Sequence, residues 1–198
     1  EAEINKGRWV AIGFTILTDA SAVFAGMIGR YLLTSPASQA VGVLGNQRDD
    51  EKSFSNSTLV MRTNYEGPSI LLGEFANRFE TRGSGSIIGI SSVAGDRGRA
   101  SNYIYGSAKS GLTAFLSGLR NRLHKSNVNV LTVLPGFVRT KMTSHLQLPS
   151  ALTLSPKSVS NTIYKKKNKS ISIYLIPWGA IMFLIRSLPE SVFKRIKL

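Results

Sequence analysis

Tyr105 and Lys109 stand four residues apart in the run Tyr105-Gly106-Ser107-Ala108-Lys109, with Ser92 thirteen positions upstream. On a helix, positions four apart share a face, so the phenol and the ammonium can point into one space. A free phenol titrates near pH ~10, and a cation beside it lowers that by roughly 1–3 pH units. A tyrosine placed in this way can trade a proton with an alcohol or a ketone. Ser92 would add a second hydroxyl to hold the carbonyl oxygen. An isolated Tyr-x-x-x-Lys pair is most often a solvated helix face, so the elements around it decide its meaning.

Those elements favour chemistry. Gly85-Ser86-Ile87-Ile88-Gly89-Ile90-Ser91-Ser92-Val93-Ala94-Gly95 is a short apolar run ending in small residues. It predicts a buried parallel strand that delivers Ser92 at its carboxyl end, the edge where open α/β sheets bind ligands. Val128 to Leu134 predicts a second buried strand, and Pro135-Gly136-Phe137-Val138-Arg139-Thr140 a turn at its carboxyl end. Further strands are expected over Trp9 to Leu17, Ala37 to Val43 and Ile171 to Ile176. Helices are expected over Ala20 to Leu32, Ser53 to Arg82, Asn102 to Ser126 and Ser155 to Lys166.

From about Val41 to the C-terminus the chain resembles a short-chain dehydrogenase/reductase. The resemblance rests on Ser92, Tyr105 and Lys109, on Asn64 in the preceding helix and on the Pro135-Gly136 turn, in the family's order and spacing. Ser91 competes for the serine role, and the family's spacing assigns it to Ser92. The resemblance implies a Rossmann-like, doubly wound parallel α/β sheet and hydride transfer between NAD or NADP and a carbonyl or secondary alcohol. It implies Ser92 and Tyr105 as donors to the carbonyl oxygen, with Lys109 on the nicotinamide ribose and lowering the tyrosine pKa. Asn64 would position a water that relays protons to Lys109. Gly42, Pro135, Gly136, Val138 and Thr140 would join Tyr105 and Lys109 against the cofactor. A homo-oligomer is the expected assembly of the complete protein.

Three stretches are similar in texture to the branch containing a decaprenylphosphoryl keto-ribose reductase. They are Arg99 to Lys109, Val138-Arg139-Thr140-Lys141-Met142, and Ile185 to Lys194. That narrower likeness implies a polyprenyl-linked keto sugar as substrate.

The family's glycine-rich loop, which lets backbone approach the dinucleotide pyrophosphate at a helix N-terminus, has no counterpart here. Gly26-Met27-Ile28-Gly29 reads instead as helix packing or a helix end. Where the family has Asn-Asn-Ala-Gly, this chain has Gln39-Ala40-Val41-Gly42, which keeps only the final glycine. The expectation is one domain over 1–198, N-terminally truncated, with 1–36 poorly matched and 177–198 forming an apolar and basic ending. One alternative is a cofactor-deficient fragment without activity, such as an interaction module; another is an enzyme of the same chemistry acting on a small soluble ketone.

With no cysteine, disulfides, thiolate metal sites and cysteine nucleophiles are excluded. His124 and His145 form no metal-ligand pattern, so no metal is expected. The net charge of +14 includes nine Lys or Arg against the single acid Glu190 beyond residue 150. No aromatic stacking platform accompanies this charge, so a nucleic-acid partner is not expected. Pro177 to Ile185 is too short to span a bilayer. Its Trp178 and bulky aliphatics beside Arg186, Lys194, Arg195 and Lys197 suit either a peripheral membrane contact through 178–198 or ordinary packing on the sheet or across a dimer. The expected location is the cytoplasm, with attachment to the inner face of the membrane under the first of these readings.

Overall fold

The computed structural model describes residues 11–12, 37–39 and 42–196. Its centre is a parallel sheet of five strands in the order β1 (Ala11–Ile12), β2 (Ala37–Gln39), β3 (Gly85–Ile90), β4 (Val128–Leu134) and β7 (Ser172–Tyr174). Two further short strands, β5 (Phe137–Val138) and β6 (Thr153–Leu154), pair with each other beside it. The helices are α1 (Gln47–Asp50), α2 (Phe54–Met61), α3 (Gly67–Arg82), α4 (Tyr103–Arg122), α5 (Pro156–Lys166), α6 (Trp178–Ser187) and α7 (Glu190–Phe193).

Period-two alternation explains why the sheet is covered on both faces. On one face Ile87, Val128 and Val130 bury against Leu72, Phe75, Ala76 and Phe79 of α3 and Leu112, Leu116 and Leu119 of α4. On the other, Ile88, Leu131 and Val133 meet Val159 and Ile163 of α5 together with Leu175. Gly89 lets α4 lie close to the sheet, because a Cβ there would stand 2.3 Å from Leu116 Cδ1. Among the described residues this is the expected Rossmann-like α/β architecture.

Several element boundaries differ from expectation. The helix expected over Ser53 to Arg82 is α2 and α3 joined by one wide π turn, Arg62–Glu66, which places Asn64 at its centre. The strand expected over Ala37 to Val43 is shorter, and so is that expected over Ile171 to Ile176. The helix expected to Ser126 leaves α geometry at Arg122 and closes with the tighter turn Leu123–Lys125. Part of the strand expected over Trp9 to Leu17 is present as β1, which pairs directly with β2. The helix expected over Ala20 to Leu32 and the Gly26 to Gly29 cluster lie outside the described residues.

Of the two readings of the C-terminal segment, burial favours packing on the sheet for Trp178. Trp178 and Met182 are buried with Val93 and Leu134, and Phe193 is buried too. Arg97 ties the segment down by donating to the carbonyls of Ile185 at 2.7 Å and Leu188 at 2.5 Å, pairing with Glu190 and stacking on the Phe193 ring. Removing 178–198 would therefore open part of the core rather than trim an appendage. Among the described residues no helix is long and apolar enough to cross a membrane.

Candidate active site

The carboxyl ends of β3 and β4 open into a cavity of about 400 Å³. Ser91 and Ser92 follow β3 directly and divide two tasks. Ser91 is buried, and its hydroxyl bonds the Lys109 carbonyl at 2.9 Å and the Thr113 hydroxyl at 2.6 Å, which locks β3 to α4. Ser92 caps the turn Val93–Gly95, accepting from the Ala94 amide at 3.1 Å, and its hydroxyl also hydrogen-bonds the Tyr105 phenol. The Ser91 hydroxyl is thus taken up by structural bonds, whereas Ser92 is the serine that the family's spacing points to.

Tyr105 and Lys109 both line the cavity, as two turns of one helix face require. Lys109 Nζ sits 5.8 Å from the centre of the Tyr105 ring and donates to the Ile90 carbonyl at 3.1 Å. Asn64 is fully buried, and its amide donates to the carbonyls of Val43 at 2.7 Å and Val60 at 2.8 Å. Its Oδ1 is buried with no partner among the described residues. Gly42 brings these groups to one point: a Cβ there would lie 2.8 Å from Asn64 Oδ1 and 3.5 Å from Lys109 Nζ. The π turn has a role here, since wide turns of this kind disrupt regular helical pairing and recur at functional sites.

Electrostatics correct one expectation. Burial pushes the Tyr105 phenol above its ordinary value, with only the Ser92 hydrogen bond working the other way. Burial acts on Lys109 as well, pulling its pKa down to about 8. Between pH 8 and the free-lysine value of 10.5 the unfolded chain therefore binds more protons than the native one, and stability rises with pH across that window. Below pH 8 the buried cation costs roughly 3 kcal/mol. Lys109→Met is accordingly expected to raise Tm at pH 7 and to have a much smaller effect near pH 10.5. Thermal melts of both proteins at the two pH values check this; an equal change at both would show that the lysine charge is not what burial penalises.

The turn after β4 brings Pro135, Gly136, Val138 and Thr140 to the cavity wall. Gly136 has a packing reason to be glycine: a Cβ there would fall 1.9 Å from the Trp178 ring. Trp178 in turn donates to the Leu152 carbonyl at 3.1 Å and meets Phe137 edge-on at 5.0 Å. Thr140 caps the turn Lys141–Thr143, its hydroxyl accepting from the Thr143 backbone. The predicted residues Gly42, Asn64, Ser92, Tyr105, Lys109, Pro135, Gly136, Val138 and Thr140 thus converge on one cavity or its immediate wall. The sequence reading missed Trp178, Arg99 and Asn102 as cavity residues. No spacing rule marks them; the only trace was the Pro-Gly step, whose missing side chain leaves room for the indole. Among the described residues no cluster of His, Asp or Glu could hold a metal.

The short chain dehydrogenase family profile matches residues 38–150, more than half of the chain, and this protein belongs to that family. An uncharacterised oxidoreductase of Mycobacterium tuberculosis is 36% identical over 158 residues, covering 79% of this chain and 63% of that protein. An uncharacterised oxidoreductase of Streptomyces coelicolor is 32% identical over 160 residues, covering 78% and 62%. The chain therefore spans a little under two thirds of the length of these relatives. Among solved structures, a short chain dehydrogenase from Burkholderia cenocepacia in complex with NADP superposes with a TM-score of 0.69 at 18% identity, covering 86% of this chain and 74% of that one. That likeness supports the fold.

Proposed function

We propose that this chain carries the catalytic half of an NAD- or NADP-dependent oxidoreductase that interconverts a carbonyl and a secondary alcohol. The observation that carries the proposal is the convergence of the Ser92 hydroxyl, the Tyr105 phenol and the Lys109 ammonium on one cavity. When bound, the nicotinamide supplies the hydride to the carbonyl carbon or accepts it from the alcohol. As the C=O electron pair moves to oxygen, Ser92 and Tyr105 hydrogen-bond the developing charge, and the Tyr105 proton passes to that oxygen. A raised phenol pKa suits the reduction direction, because the tyrosine holds its proton until the oxygen becomes basic enough to take it.

The residues present fit the nicotinamide and ribose end of such a cofactor. Lys109 has an ammonium at the cavity, Asn64 Oδ1 is an orphaned acceptor beside it, and Gly42 leaves the approach clear. These groups would hold ribose hydroxyls or a relaying water, and Pro135, Gly136, Val138 and Thr140 would face the carboxamide. The NADP bound in the Burkholderia relative supports this cofactor class without choosing between NAD and NADP.

Transfer of label tests the reaction directly. With the reduced cofactor deuterated at its transferable position and a panel of small ketones, the deuterium should appear on the carbinol carbon of the alcohol. Recovery of solvent hydrogen at that carbon would refute hydride transfer.

The sharpest form of the substrate reading is a keto sugar carried on a polyprenyl phosphate. It is supported by the apolar cavity wall of Leu44, Met142, Leu146, Val159 and Ile163. Membrane contact accompanies that reading in a narrowed form. Because Trp178 is buried, the contact falls to Phe183 and Leu184, exposed at 72% and 66% on the outer face of α6 near Arg186. Phe183→Ser with Leu184→Ser should reduce retention on anionic vesicles about 10-fold without lowering Tm. Unchanged retention, or loss of a dimer on sizing, assigns the face to a second copy of this chain.

A further inference from the structure

Arg99 and Arg97 are two residues apart and are used in opposite ways. Arg97 is spent on structure, holding the Ile185 and Leu188 carbonyls and Glu190. Arg99 lines the same cavity as Ser92 and Tyr105, and its Nε is buried with no hydrogen-bond partner among the described residues. Its charged neighbour is Asp96, whose carboxylate accepts the Tyr174 hydroxyl at 2.7 Å. Asn102, three residues on, also lines the cavity, and its Oδ1 is likewise buried and unpartnered. It occupies the capping position of α4 and makes no capping bond.

A buried guanidinium N–H and a buried amide oxygen left open are each costly, and folded proteins satisfy such groups with a partner or a ligand. Among the described residues the cavity lining contains two cations, Arg99 and Lys109, and no Asp or Glu. Burial also pulls the Arg99 pKa below its ordinary value, a penalty that an anion in the cavity would relieve. Arginine's planar fork suits the paired oxygens of a carboxylate or phosphate.

We propose that Arg99 is a specificity residue that recognises an anionic oxygen group, a carboxylate or a phosphate ester, on the carbonyl substrate, and that Asn102 accepts a hydroxyl of the same molecule. This rests on the oxidoreductase reading above and adds the charge of the substrate to it.

Two matched pairs of ketones test the inference on the full chain: acetoacetate against acetoacetamide, and dihydroxyacetone phosphate against dihydroxyacetone. Quenching of tryptophan fluorescence reports binding, since Trp178 lines the cavity, and cofactor oxidation reports turnover. The charged member of at least one pair should bind about 10-fold or more tightly, and the pair with the larger gap tells carboxylate from phosphate. Arg99→Gln should erase the gap, Arg99→Lys should restore part of it, and affinity for the reduced cofactor should stay constant in both. Equal binding of charged and neutral members in the unsubstituted protein overturns the proposal, and that comparison needs no variant to fold. It is overturned too if the gap survives in Arg99→Gln, or if cofactor affinity falls in step with it. Turnover of both members at equal efficiency, lost in Tyr105→Phe, leaves the oxidoreductase reading standing and sinks the anion site. A binding gap without Tyr105-dependent turnover of any ketone does the reverse.

Discussion

Tyr105→Phe is expected to lower carbonyl reduction by about 10²–10⁴-fold, the range typical of losing a positioned general acid. The ring stays and only the hydroxyl goes, so the packing of α4 against β3 should be unaffected. The variant should fold with a Tm close to that of the unsubstituted protein, because the raised phenol is neutral in both the folded and the unfolded chain at neutral pH and only its hydroxyl is lost. Its pH profile should also change. In the unsubstituted protein, alcohol oxidation requires the phenolate and should rise with pH, while reduction should persist through neutrality because the phenol keeps its proton. In Tyr105→Phe the residual activity should lose that opposition. Steady-state rates in both directions across pH 6–9.5, alongside thermal melts, check this. Turnover within about threefold of the unsubstituted protein would remove Tyr105 from the proton path.

The second large effect is expected at a residue that does no chemistry. Gly95 ends the turn that begins at Ser92, and a Cβ there would stand 2.6 Å from the Ser110 nitrogen and 2.8 Å from the Lys109 carbonyl carbon. Both are backbone atoms of α4, so no change of rotamer can make room. On the same helix a Cβ on Gly106 would meet the Ala94 carbonyl oxygen at 2.8 Å. Backbone thus lies on backbone where the Ser92 turn crosses the Tyr105 helix, and that closeness brings the two hydroxyls together. Gly95→Ala should cost about 1–3 kcal/mol by overpacking. It should also push Ser92 away from Tyr105, reducing kcat by roughly 10-fold or more, since small misplacements at a reacting centre are expensive. Gly118 supplies the control on the same helix: it is exposed and nothing stands within 4 Å of its Cβ position. Gly118→Ala should stabilise by about 0.5–1 kcal/mol and leave turnover unchanged. Should Gly95→Ala prove as benign as Gly118→Ala, the close crossing would not be what sets the Ser92 to Tyr105 distance.

Local chemistry was legible in the chain without coordinates. The apolar run around Ile87 and Ile88 and the run from Val128 to Leu134 announce strands buried on both faces, because a parallel sheet leaves neither face to water. Four-residue spacing places Tyr105 and Lys109 on one helix face, and the family's pattern adds Ser92, Asn64 and the Pro135-Gly136 turn. Each of these signals lies within one element or at a known distance along the chain.

Tertiary structure alone decided what depends on elements far apart in sequence. Ser91 was separated from Ser92 by Thr113, some twenty residues away, whose hydroxyl engages that of Ser91. Tyr105 and Lys109 have the spacing of a cation lowering a phenol, yet burial raises the phenol, and burial is a property of everything packed around the pair. Trp178 reads along the chain as an interfacial residue beside basic neighbours. It is instead a core residue, because Gly136 leaves a hollow for its ring and the Leu152 carbonyl accepts its N–H. Sequence pattern determined the strands, the helices and the candidate side chains. Solvent exclusion and close backbone contact, which exist only once distant segments meet, determined which of those side chains face the cavity and how they are charged.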